Sequence, residues 1–354
     1  MSDPLSVIEA QETAIATLRS AVSRNKLASA YLFDGPSGSG KALAARALAE
    51  LVLGQGLDSS ARVELARRIE AGAHPDVRVL RPRDEGDRNL QVATIRDEVL
   101  PFAQFAPFEA RAAFLIFPDA DISFPQHHPE AANAMLKTLE EPRPGVHFVL
   151  LSSRPDRLLQ TIRSRCQRVR FRRLPDPVLH RILEARGVPE ATRLVAVALA
   201  DGRADKALAL AQPLAAPVEG QLPVSVADAL FEVALKVDEV AAAGKPGAIV
   251  SVAEEVARNA DLPGVLEALT AFYRDVCCAS LGLPDEALAF RHRADRVRAR
   301  AEGIGPRHGA EAVAGLRELE ELLAVNANKD LAIADWIFSI GREPMPPRPR
   351  KRPR

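Results

Sequence analysis

The segment Ala30-Tyr31-Leu32-Phe33-Asp34-Gly35-Pro36-Ser37-Gly38-Ser39-Gly40-Lys41-Ala42 decides the fold. Its first four residues form a short apolar run that reads as a strand. A glycine-rich loop follows, and the Ala/Leu-rich stretch 42–53 after it reads as a helix. Gly35 to Lys41 fits the spacing G-x-x-x-x-G-K. In that motif backbone N–H groups cradle phosphates and the lysine reaches the terminal ones. The helix N-terminus adds the positive end of its dipole. Gly35, Gly38, Gly40 and Lys41 are therefore candidate nucleotide-binding residues, and the expected fold around them is α/β.

Outward from the loop, Val77–Leu80, Ala112–Phe117 and Val146–Leu151 are further apolar runs of strand length. Between the last two, AANAMLKTLEEP (131–142) is a helix stopped by Pro142, and residues 5–27 carry apolar positions at helical spacing. Strands alternating with helices imply a parallel sheet. From about residue 174 only helical periodicity remains, at 178–186, 190–201 and 203–212. The expected division is an α/β module at 1–173, a small helical segment at 174–212 and a Pro/Gly-rich linker at 213–224. An all-α segment at 225–341 and a basic, proline-rich, disordered tail at 342–354 complete it.

Lys+Arg and Asp+Glu both number 47, so the formal net charge is zero. Any nucleic-acid contact must then be a local patch or be shared with partners, since a non-specific binder is usually basic overall. Three cysteines, Cys166, Cys277 and Cys278, are too few and too poorly spaced for a disulfide framework or a CxxC zinc site. No secretory layout opens the chain and no run of eighteen apolar residues occurs, so a cytoplasmic protein without a membrane span is expected.

Two features argue against hydrolysis. The residue after the motif lysine should be Ser or Thr, whose hydroxyl binds Mg²⁺, and here it is Ala42. A working site also needs an Asp at a strand end to hold the metal, with a neighbouring acid to align water. After Phe117 come Pro118 and Asp119, in the places of the metal-holding Asp and its neighbour.

The strings AYLFDGPSGSGK, GAHPDV, AANAMLKTLEEP, FVLLSSRPDRLLQTIRSRCQ and LLAVNANKDLAIAD run in order from residue 30 to residue 335. With them the chain resembles bacterial delta-prime clamp-loader subunits, and more broadly the gamma/tau and replication factor C group of AAA+ proteins. The resemblance implies an AAA+ P-loop module, a helical lid at 174–212 and a collar at 225–341 that holds a ring together. It also implies a place in the DNA-directed DNA polymerase III holoenzyme. The partners implied are gamma/tau and delta subunits, with the sliding clamp and primer-template DNA reached through the complex. It makes Arg165, in Ser164-Arg165-Cys166, an arginine finger directed at a neighbour's ATP. From the residues alone, Arg163, Arg165 and Arg168 read as a solvated basic face. Ser153 and Lys206 fall at positions that sense phosphate in active relatives. Many family members bind zinc before the HPD string, but Ser60, Val63 and Ala66 stand at three of the cysteine positions, so a plain helix and no zinc are expected. Trp336, Phe338 and Phe272 read as packing residues. The expected role is a non-hydrolysing subunit, with ATP binding left open because Lys41 and the loop amides are present; the alternative is a gamma/tau-like ATPase.

Overall fold

A computed structural model describes residues 3–81, 90–125, 129–214, 225–324 and 327–341. The charged stretch 81–88 lies largely outside these residues, as do most of the expected linker and the whole of the tail at 342–354. The chain divides into two compact units. One is Met1–Val178 with Gly202–Asp205, and the other is Leu179–Asp201 with Lys206–Arg354. Residues 174–212, expected as a lid, thus contribute to both.

The first unit is built on five strands: β1 (Ala30–Asp34), β2 (Val77–Val79), β3 (Ala113–Phe117), β4 (Val146–Ser152) and β5 (Gln167–Arg170). They form one sheet in the order β2-β3-β4-β1-β5, with every pair parallel. All residues of β1, β3 and β4 are buried, as expected for central strands covered on both faces. Alternation divides the side chains between two cores. Tyr31, Phe33, Phe114, Ile116, Val149 and Leu151 enter one, with Ala44, Leu48 and Val52 of the helix after the loop. Leu32, Leu115, Phe117, Phe148 and Leu150 enter the other, with Met135 and Leu139 of the helix Glu130–Glu140. Each fully buried Leu or Phe contributes about 1.5–3 kcal/mol, which makes this sheet a rigid platform for what lies beyond its strand ends.

One local reading needs correction, and one strand was not anticipated. Residues 5–27 are not one helix. Pro4–Val7 is a 3₁₀ turn and α1 spans Glu12–Ser23. The left-handed Ala10 (φ 57°) lies between them, and Val7 is left exposed. The chain after Ser153 also returns to the sheet as β5, a strand that has only Val169 buried. A charged edge strand carries no apolar run to betray it.

The named elements of the second unit are all helices. Val226–Ala243 starts on a capping box, in which Ser225 and Asp228 exchange hydrogen bonds, and stops at the left-handed Gly244. The helices Pro246–Ala257 and Leu262–Ser280 continue the bundle. Phe272 and Trp336 are buried and Phe338 is half-buried. Tyr273 stands edge-on to the Trp336 ring at 6.1 Å. No helix of the described residues is long and apolar enough to cross a membrane.

Candidate functional site

Parallel pairing sets the ends of the central strands side by side. Asp34 of β1 lies opposite Ser152 of β4, and Gly35 N–H donates to the Ser152 carbonyl at 3.2 Å. The loop 35–40 and Ser153 therefore meet at the C-terminal edge of the sheet, the usual ligand-binding edge of such folds. The loop is backbone-limited. Gly38 and Gly40 have φ of 67° and 93°, and a Cβ on Gly35 would stand 2.3 Å from the Phe171 carbonyl oxygen. Gly40 caps α2 (Lys41–Leu53), so the free N–H groups of α2 open toward the loop.

The lysine is buried and turned into its own loop. Its Nζ donates to the carbonyls of Gly35 and Pro36, each at 2.6 Å. Burial lowers its pKa, against the pull of four carboxylates, Asp121, Asp205, Asp34 and Asp119. Asp121 is buried and accepts from Ser153 N–H at 3.2 Å, and Asp34 holds Arg168. Asp205 accepts from the Ser37 hydroxyl at 2.6 Å. Of the residues expected here, Gly35, Gly38, Gly40, Lys41 and Ser153 come together. Lys206 belongs to the second unit, where its ammonium pairs with Glu267. Asp121, Asp34 and Asp205 were not singled out from sequence. A lone Asp at a strand end or on a helix gives no motif, and only the lysine they share connects them.

The arrangement lacks one ligand that a magnesium triphosphate uses. Ala42 offers a methyl group where a metal-binding hydroxyl is needed. Asp205 also sits against the loop, so close that a Cβ on Gly38 would come within 2.1 Å of its Oδ1. Among the described residues no group of three or more His, Cys, Asp or Glu is arranged to hold a metal. Ser60, Val63 and Ala66 lie on the helix Ser59–Glu70. His74 accepts from Asp76 N–H at Nδ1 (3.1 Å), so its Nε2 carries the hydrogen that faces Glu109 at 3.1 Å.

Arg165 occupies the turn between the short helix Gln160–Arg163 and the edge strand β5. Its Nε donates to Glu140 at 2.7 Å, a second nitrogen pairs with the same carboxylate, and a third donates to the Thr161 carbonyl at 2.8 Å. Glu140 is in the LKTLEEP string, so two strings far apart in sequence meet at this guanidinium. Cys166 next to it packs on the second core, and burial pushes its thiol up to about 12.

Residues 10–175 match the family described as "DNA polymerase III, delta subunit". This module is similar to delta-prime clamp-loader subunits. The delta' subunit of DNA polymerase III from Bacillus subtilis is 34% identical over 191 residues, 53% of this chain and 56% of that protein. The delta' subunit from Pseudomonas aeruginosa is 38% identical over 146 residues, 40% of this chain and 43% of that protein. The tau subunit from Escherichia coli is 31% identical over 236 residues, 62% of this chain and 34% of that protein. The chain thus spans about half the length of the delta-prime relatives it matches.

Proposed function

We propose that this chain is a non-hydrolysing delta-prime subunit of a bacterial clamp loader, which offers Arg165 to the nucleotide of an adjacent gamma/tau subunit. The observation that carries the reading is the pairing of a phosphate loop lacking its metal-binding groups, Ala42 and Pro118, with an arginine held at the rim of the same module. A guanidinium is always charged, and its planar fork suits phosphate oxygens. Charge that develops on a phosphoryl group in transfer is stabilised by such a preorganised donor. To serve a neighbour, Arg165 exchanges Glu140 for the incoming phosphate, one anionic partner for another.

Support for the delta-prime role comes from the matched family and relatives, and support for the absence of turnover comes from the loop chemistry. Gamma/tau and delta subunits are the partners, and the sliding clamp and primer-template DNA are reached through them. The test is reconstitution with those partners, with complex formation and ATPase read together. The expected result is a stable complex in which this chain alone shows no magnesium-dependent turnover. Turnover by the pure chain, removed by Lys41→Ala, contradicts the reading and makes it a gamma/tau-like motor instead.

A further inference from the structure

The segment Gly202–Asp205, whose last two residues open the helix Ala204–Leu210, belongs to the first unit and packs on the phosphate loop. Gly202, at φ 73°, accepts through its carbonyl from Leu174 N–H at 2.8 Å. Two residues on, Ala204 N–H donates to the Gly38 carbonyl at 3.2 Å. The segment is therefore fixed by the backbone on both sides before any side chain is considered. Asp205 follows. One carboxylate oxygen accepts from Ser37 at 2.6 Å, and the other lies over Gly38. Arg203 approaches the same carboxylate at 3.3 Å from the solvent side.

We propose that Asp205 is a built-in occupant of the phosphate loop that stands in for a phosphate group and keeps this chain from binding nucleotide polyphosphates. Three observations carry the proposal. The carboxylate uses a hydroxyl donor of the loop, Ser37, which an incoming phosphate would otherwise engage. Its Oδ1 stands 2.1 Å from where a Cβ on Gly38 would lie, so the carboxylate packs directly on the loop backbone. Lys41, the one cation of the motif, is spent on the carbonyls of Gly35 and Pro36 within a ring of four carboxylates. A triphosphate would add several negative charges to that ring, with no metal ligand at Ala42 to offset them. The glycine loop is then kept as a socket for the chain's own Asp205, which explains how the motif survives without its ligand. The proposal does not depend on the clamp-loader reading, since it concerns this chain by itself.

The experiment is equilibrium binding of labelled ATP, with and without Mg²⁺, to the full chain and to Asp205→Ala and Asp205→Asn. Asp205→Asn keeps the shape and removes the charge, so it reports even if the alanine variant folds poorly. Wild type is expected to show no saturable binding into the millimolar range. Both variants should bind at least tenfold tighter, a change of about 1.4 kcal/mol. Adding Lys41→Ala to either variant should abolish the gain, which places the binding in the loop. A gain short of tenfold in both variants, or a gain that survives Lys41→Ala, overturns the proposal.

Discussion

At the scale of the residue, two neighbours in one turn have opposite chemistry. Arg165 lies at the surface with its donors engaged by Glu140 and Thr161, and Cys166 faces inward. With its thiol held up at about 12 by burial, Cys166 is a protonated packing group and not a nucleophile. In the native protein at pH 8, Ellman's reagent should therefore modify Cys166 only after unfolding, as read by mass spectrometry of the labelled peptides. Rapid native labelling of that peptide would contradict the packing described. Arg165 was singled out by the SRC string, but its partner was not. Glu140 lies in a string 25 residues earlier, and only the fold brings the two together.

At the scale of the element, the GAHPDV string acquires a physical role. Asp76 is 2% exposed, and its carboxylate accepts from the backbone N–H groups of Phe108, Glu109 and Ala110. It organises the loop that leads into β3. Asp76→Ala orphans three donors at once. A cost of about 3 kcal/mol in unfolding free energy is expected, measurable by urea denaturation. A change below about 1 kcal/mol would mean that water replaces the carboxylate at little cost. The apolar strands β1, β3 and β4 and the glycine loop were readable because burial on both faces demands continuous apolar runs. β5 was not readable, because an edge strand with charged flanks looks like loop. The packing of 202–205 on the loop was hidden too, since it rests on two backbone hydrogen bonds and one aspartate.

At the scale of the whole molecule, the helix Glu190–Ala200 packs on Val226–Ala243 and Leu262–Ser280, inside the second unit. Residues 225–341 expressed alone would lack that cover. They should melt at a lower temperature than residues 179–341, as followed by circular dichroism at 222 nm; equal melting would make the helix an accessory. The pH dependence follows from buried rings. His74, His147 and His308 all have pKa values lowered, in each case chiefly by burial. The unfolded chain binds those protons more readily. The stabilisation is therefore complete above about pH 6.5 and is lost as the pH falls toward the depressed folded values. Asp228, held at about 2 chiefly by its hydrogen bond from His292, acts lower down. Its contribution is present above about 3.8 and is lost as the pH falls through about 2. The melting temperature should thus decline between pH 7.5 and pH 5.5, and a rise over that interval would contradict the burial of these rings. The central claim concerns Arg165, and it is tested most directly in a reconstituted clamp loader carrying Arg165→Ala in this chain, with DNA- and clamp-stimulated ATPase measured. Arginine fingers contribute on the order of 10³–10⁵ at the site they serve, so a ring with several sites should lose the share of one site while assembly stays intact. Arg165→Lys should rescue poorly, because a point charge does not reproduce the fork; wild-type ATPase from a fully assembled Arg165→Ala complex would contradict the account.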